Sequence, residues 1–264
     1  MVKVYTIASG KGGTGKTTVS VNLGTMLALL GKETYLMDAD IGMANVGLIL
    51  GLQDAPVTLH EVLAGKGSIN DAIYEGPGGL KVIPSGISLQ GFQQADPDRI
   101  RDVLGDIVKR CDFLLIDAPA GISKDGVVPL AVADEVILIV NPELSSIVDA
   151  LKTKILTEVV GGHVLGTIIN RVDQGKTDII SKKMEKVLGV KVLGIIPEDG
   201  NVRRSASAKS PIVIKYPTSP ASKAIKRIAS DLVGVAYKEE KSVEVKEGFI
   251  DRFSKALFKK KSAE

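Results

Sequence analysis

The stretch Ser9-Gly10-Lys11-Gly12-Gly13-Thr14-Gly15-Lys16-Thr17-Thr18, directly after the apolar, strand-like run Val2 to Ala8, constrains the chain more than any other. Gly10, Gly15, Lys16 and Thr17 fill the spacing G-x-x-x-x-G-K-[ST]. In such a loop the glycines let successive backbone N–H groups converge on phosphate oxygens, the lysine reaches the β/γ-phosphates and the hydroxyl holds Mg2+. The candidate nucleotide contacts are accordingly Gly10, Lys11, Gly12, Gly13, Thr14, Gly15, Lys16, Thr17 and Thr18. The same stretch also satisfies G-x-G-x-x-G through Gly10, Gly12 and Gly15, and Asp38 and Asp40 follow about where a dinucleotide site places its ribose acid. A dinucleotide has no need of an ammonium and a hydroxyl at the first helical turn, where a helix N-terminus already favours anions. Lys16 and Thr17 stand there, so a nucleoside triphosphate is the favoured ligand.

The rest of the chain supplies what such a loop needs. Lys16 to Gly31 carries apolar residues at largely helical spacing, and Thr34 to Met37 reads as the next strand, a βα unit feeding a parallel sheet. Asp38-Ala39-Asp40 leaves the end of that strand, where open α/β sheets bind ligands. Phe113-Leu114-Leu115-Ile116-Asp117 has the form of a buried parallel strand delivering a carboxylate to its C-terminal edge. Leu59 to Leu63 suggests a short helix, Gly79 to Pro84 a strand and Gly86 to Asp96 a polar loop. Asp98 to Lys109 reads as a helix with Asp96 as its cap and Pro97 at the first helical position. Glu135 to Val140 is another buried strand, ending at Asn141-Pro142-Glu143-Leu144-Ser145-Ser146; by itself this is a proline turn in which Ser145 or Glu143 starts a helix to Val160. Leu165 to Ile169 delivers Asn170-Arg171, Val192 to Ile196 delivers Pro197-Glu198-Asp199, and a last helix spans Ser219 to Ala236.

Lys11 is not required by the phosphate-loop pattern, and alone it is a solvated loop lysine. With it, the chain resembles the deviant Walker A ATPases of the MinD and ParA type, whose K-G-G-x-G-K-[ST] carries a signature lysine. The resemblance extends from the first strand to the end of the chain. It implies a three-layer α/β P-loop NTPase with a mostly parallel sheet flanked by helices, MgATP hydrolysis, and an ATP-dependent homodimer in which Lys11 reaches the partner's nucleotide. It further implies that Lys11, Lys16, Asp38 and Asp40 are catalytic, Asp40 orienting the attacking water and Asp38 supporting that water or the Mg2+ water shell. Thr17 would bind Mg2+, with Asp38 acting through water and Asp117 through water or through Thr17. Ala118-Pro119-Ala120-Gly121 resembles a γ-phosphate-sensing switch. Asn170, Arg171, Pro197, Glu198 and Asp199 stand where MinD-like proteins hold the adenine, and an Asn side chain has the donor and acceptor to match its edge.

At 264 residues and 44% hydrophobic content the chain suits a single α/β domain, expected over 1–237, plus a tail. A net charge of +3 gives no global nucleic-acid signature, so no nucleic-acid partner is expected. Cys111 is the only cysteine, which leaves no disulfide framework and none of the thiolates that the iron–sulfur carrier relatives need. A metabolic kinase-like P-loop enzyme is a further alternative, as is a partitioning or flagellar-number ATPase of the ParA or FlhG type. No secretory signal and no run of ~18 apolar residues is found, which points to a cytoplasmic protein.

Residues 238–248 are charged and almost without apolar anchors, the composition of a flexible linker. In 249–264, Phe249, Ile250, Phe253, Ala256 and Leu257 recur at helical spacing opposite Arg252, Lys255 and Lys259. A helix from Phe249 to Lys261 is about 20 Å long at ~1.5 Å per residue, too short for the ~30 Å hydrocarbon core. It fits lying in the headgroup plane of an anionic membrane through Phe249, Ile250, Phe253 and Leu257, which places the protein peripherally and reversibly at the inner face of the cell membrane. MinD proteins resemble the chain in ending this way; an unidentified activator protein completes the expected partners.

Overall fold

The computed structural model describes residues 2–86, 96, 99–121, 124–173 and 177–237. Eight strands form one sheet in the order β3-β4-β2-β5-β1-β6-β7-β8. Seven of them run parallel: β1 (Lys3–Ala8), β2 (Thr34–Asp38), β4 (Lys81–Ile83), β5 (Phe113–Asp117), β6 (Glu135–Val140), β7 (Val164–Val172) and β8 (Val192–Pro197). The two-residue β3 (Tyr74–Glu75) closes the edge antiparallel to β4. Between and after them lie α1 (Lys16–Leu29), α2 (Val46–Leu50), α3 (Leu59–Leu63), α4 (Ile100–Ile107), α5 (Lys124–Val132), α6 (Leu144–Val159), α7 (Thr177–Leu188), α8 (Gly200–Ser207), α9 (Ile212–Lys215) and α10 (Pro220–Val233).

The unbroken apolar runs of the central strands follow from burial on both faces. In β1, Tyr5 and Ile7 pack with α1, α9 and α10, whereas Val4 turns to the layer holding α3 and α4 and Ala8 to the layer holding α6 and α7. Leu114 and Leu115 in β5, and Ile168 and Ile169 in β7, divide the same way. Helix α1 is buried nearly all round, Val19 to Leu27 being enclosed between the sheet and α10. The three-layer architecture with a mostly parallel sheet expected from the sequence is the one that forms.

Helix α4 is described from Ile100, and the Asp96 carbonyl accepts the Arg99 N–H at 3.1 Å; the cap expected from Asp96 turns on residues 97 and 98, outside the described residues. Two details differ from the expectation. Asn170 and Arg171 lie inside β7 rather than beyond its end, because Arg171 takes a left-handed conformation (φ 59°) that bulges the strand and lets pairing with β8 resume at Val172. Helix α6 receives no cap from the side chain of Glu143; the Ser146 hydroxyl accepts the Asn141 N–H at 3.0 Å. Pro97, most of the Gly86 to Asp96 loop, the charged linker and the amphipathic tail lie outside the described residues. Among the described residues no helix is long and apolar enough to cross a membrane.

Candidate functional site

The phosphate loop leaves β1 at the middle of the sheet, and its last glycine starts α1. Gly15 has φ 89°, and a Cβ there would lie 2.4 Å from the Asn170 amide nitrogen, so both backbone shape and space require glycine. Gly10 is pressed against α6, where a Cβ would lie 2.2 Å from the Asp149 carbonyl carbon. Beyond Gly15 the first turn of α1 points its free N–H groups into the hollow, the arrangement that holds anions.

Asp117 ends β5 beneath this loop, fully buried. Its carboxylate takes the Lys16 ammonium at 3.0 Å, the Thr17 hydroxyl at 2.7 Å and the Ser20 hydroxyl at 2.7 Å. Ser20 was not among the residues expected from the sequence; the signal available was its position one helical turn beyond Lys16 and Thr17, on the face they share. Asp38 pairs with Asp117 in the neighbouring strand and is also fully buried. It accepts the backbone N–H groups of Asp40 (3.1 Å), Asn45 (3.0 Å) and Val46 (3.0 Å), which fold the loop after β2 around it. Burial, and after it the charge of Asp117, push the Asp38 carboxyl up to about 7, against the backbone N–H groups and Lys16.

A hollow over this floor is lined by Ser9, Gly12 to Thr18, Asp40, Met43, Asn45, Ile49, Ala120 and Arg171. Asp40 thus faces the same space as Lys16 and Thr17, with Ala120 on the opposite rim; the Gly121 N–H, bonded to the Ser9 carbonyl at 3.0 Å, ties that rim to the loop. Thr14 Oγ1 is buried in the cradle and makes no hydrogen bond among the described residues. A second cavity adjoins the first through Gly15, Thr18 and Arg171 and is closed by Val19, Asn170, Ile196 to Asp199, Val202, Arg203 and three apolar residues of α9 and α10. Asn170 donates its side-chain N–H to the Thr14 carbonyl (2.8 Å), and Arg171 stands 4.0 Å from Glu198. The Asp199 side chain is engaged by its own helices: it caps α8 through Asn201 N–H (2.9 Å) and accepts Ala221 N–H (3.3 Å).

Lys11 lines neither cavity. Its ammonium is bonded to Glu143 (2.8 Å) and Ser145 (3.0 Å) at the start of α6, and this hydrogen bond holds the Glu143 carboxyl below its ordinary value. The structure therefore brings together Lys16, Thr17, Asp38, Asp40 and Asp117, places the base-side residues next door, and turns Lys11 away onto its own chain.

The donor set suits a hard divalent cation that keeps most of its water: one hydroxyl and two carboxylates, with no group of three or more His, Cys, Asp or Glu forming a cage among the described residues. Two connected cavities, one ringed by N–H groups and an ammonium and the other largely apolar, match a phosphate chain and a base.

A family model described as the CobQ/CobB/MinD/ParA nucleotide binding domain matches residues 5–212. An uncharacterised ATP-binding protein of Methanocaldococcus jannaschii is 49% identical over 258 residues, covering 98% of this chain and 97% of its own. The antiactivator FleN of Pseudomonas aeruginosa is 34% identical over 241 residues, covering 86% of this chain and 85% of its own. The solved structure of the septum site-determining protein MinD from Pyrococcus horikoshii, complexed with Mg-ADP, superposes with a TM-score of 0.82 at 35% identity, over 88% of this chain and 96% of its own.

Proposed function

We propose that this chain, which belongs to the CobQ/CobB/MinD/ParA nucleotide-binding family, is a MinD-like ATPase that binds MgATP, dimerises on it and attaches reversibly to membrane as a spatial regulator of division or positioning. The observation that carries the ATPase reading is the knot at Asp117. Lys16 and Thr17 are held at 3.0 and 2.7 Å on one buried carboxylate below a glycine loop, with Asp40 facing the same hollow.

In this reading the N–H groups at the start of α1 and the Lys16 ammonium bind the β/γ-phosphates, and Thr17 turns its hydroxyl oxygen to Mg2+ while donating its proton to Asp117. When bound, Mg2+ neutralises charge developing on the phosphates. Asp38 and Asp117 accept hydrogen bonds from its water shell. Asp40 accepts a proton-bearing hydrogen bond from the water that attacks the γ-phosphate and so orients it. Asn170, Arg171 and the backbone of Pro197, Glu198 and Asp199 hold the base. Lys11 leaves Glu143 to reach the partner's phosphates, which makes the site complete only in the dimer.

Residues 1–237 form the ATPase body, 238–248 a linker and 249–264 the membrane-targeting segment in this reading. One tail burying Phe249, Ile250, Phe253 and Leu257 partway binds weakly, since full burial of each large apolar side chain is worth only ~1.5–3 kcal/mol and ordering opposes it. Two tails on one dimer raise avidity by about 10² to 10⁴. The protein then resides in the cytoplasm and at the inner face of the membrane according to its nucleotide. The similarity to the antiactivator FleN supports a second reading, an ATPase of the same mechanism that acts as an antiactivator.

The test compares oligomeric state and vesicle co-sedimentation with ATP and with ADP, using anionic and neutral liposomes. A dimer and vesicle binding in ATP alone are expected; equal behaviour in both nucleotides sinks the switch. Removing 249–264 should abolish vesicle binding and leave ATP affinity within about twofold, as expected of a segment that serves the membrane rather than the nucleotide.

A further inference from the structure

His60 is a buried polar group that nucleotide binding does not use. On α3 it is 1% exposed, and its Nε2 lies 2.9 Å from the Ile41 carbonyl oxygen. A carbonyl only accepts, so the proton sits on Nε2. Nδ1 has no hydrogen-bond partner among the described residues. An apolar side chain of this size would fill the space without leaving a buried nitrogen unpaired, so the ring's bond to Ile41 needs a reason.

The surroundings fix the ring. Thr58 and Glu61 form a capping box at the start of α3, and the Leu59 N–H is bonded to the Pro84 carbonyl at the end of β4 (2.9 Å). Arg99 donates to the Leu63 carbonyl at the other end of the helix (2.9 Å). Leu59, Val62 and Leu63 share one buried cluster with Ile41. From the opposite side Gly86 closes on the imidazole: a Cβ there would lie 2.4 Å from Nδ1 and 2.8 Å from Thr58 Oγ1. The ring is clamped between the end of β4 and the loop after β2.

That loop carries Asp40, the residue before Ile41. Its ends are tied to the strands, Ala39 N–H to the Asp117 carbonyl (2.9 Å) and Asp40, Asn45 and Val46 N–H to the Asp38 carboxylate at the end of β2, while Met43 N–H goes to Asp40 Oδ1 (3.0 Å) and Ile41 N–H to the Ala39 carbonyl (3.0 Å). Its crest is exposed, Met43 by 72%. The His60 bond holds the Ile41 carbonyl, on the buried side of the loop between Asp40 and that crest, to a helix of its own.

We propose that His60 is a positioning residue for Asp40, its Nε2–H holding the peptide after Asp40 so that the carboxylate keeps its aim at the phosphate hollow. The inference rests on the reading of Asp40 as the group that orients water. In-line attack needs that orientation to within a fraction of an ångström, and the His60 bond fixes the peptide next to Asp40 from a helix packed in the core, adding to the hold that the strand ends supply.

The test uses the full chain and three variants: His60→Leu, which keeps the volume and loses the donor; His60→Gln, whose amide N–H reaches toward the same carbonyl; and Asp40→Asn. Steady-state ATP hydrolysis, amide hydrogen exchange over residues 39–46 and the 15N signature of the His60 tautomer are measured together. His60→Leu should lower kcat about tenfold or more with KM within about threefold, and speed exchange of the 40–43 amides; His60→Gln should restore both, and the wild-type ring should show protonated Nε2. A kcat for His60→Leu within twofold of wild type, unchanged exchange, or a proton on Nδ1 overturns the proposal. Should His60→Leu not fold, Gly86→Ala, which pushes the ring from the other side, takes its place. If Asp40→Asn hydrolyses ATP at the wild-type rate, it is the reading of Asp40 that falls, and the hold of His60 on the loop is then decided by exchange and tautomer alone.

Discussion

Asp117 gathers one ammonium and two hydroxyls on a fully buried carboxylate, and each donor has a different task once phosphate arrives. In the proposed mechanism Lys16 is the donor that exchanges Asp117 for phosphate. A hydrogen bond to a charged group is worth about 1.5–3 kcal/mol, so Lys16→Ala should weaken ATP binding by roughly 10- to 150-fold, measured by titration calorimetry. Asp40→Ala leaves these contacts in place; ATP affinity and the ATP dimer should persist while hydrolysis slows by about 10² to 10⁴. Normal hydrolysis by that variant refutes the water-positioning role. Asp38 has a pH signature of its own. Its folded-state pKa, about 7, lies above its unfolded value, so between about pH 4 and pH 7 the folded apoprotein holds a proton that the unfolded chain has released. Stability of the apoprotein should therefore fall as pH rises through that window and level off above it. Asp38→Asn should remove that part of the slope in thermal or urea unfolding followed from pH 5 to pH 8.

Elements with strong periodic or unbroken apolar patterns were legible in the sequence, because burial on one or two faces writes those patterns directly: β5, β6, α1 and α3 fall within two residues of expectation. The departures occur where a single backbone contact decides. A left-handed Arg171 extends β7 past Ile169, and Ser146 rather than Glu143 makes the side-chain bond at the start of α6. Asp199 shows what spacing leaves open. The sequence points to the backbone of 197–199 for the base, and the structure adds a job for the carboxylate, which joins two helices, capping α8 and receiving an N–H from α10. Loss of a cap costs about 1 kcal/mol, so Asp199→Ala should lower Tm by about 2–4 °C. Because α8 and α10 wall the second cavity, the same variant should also raise KM for ATP, which separates it from a purely surface cap.

For the molecule as a whole the decisive feature is that Lys11 is held by its own Glu143 and Ser145 rather than by the cradle. If dimerisation requires Lys11 to leave, Glu143→Gln should weaken the hold and let the ATP dimer form at lower protein concentration, read by analytical ultracentrifugation, with the thermal midpoint unchanged; an unshifted dimer equilibrium counts against a latch. The family, the parallel sheet and the phosphate loop were determined by sequence alone, since glycine freedom, a lysine and hydroxyl at a helix start, and apolar runs ending in acid are local requirements of the chemistry. What only the tertiary structure decided is which partners these residues meet: Ser20 joining Asp117, Asp199 spent on helix caps, Lys11 turned to α6, and His60 closing on the carbonyl beside Asp40. The reason is physical: the residues in each of these pairs other than Asp199 lie 19 to 134 positions apart, and only the packing of helices on the sheet brings them within hydrogen-bond reach.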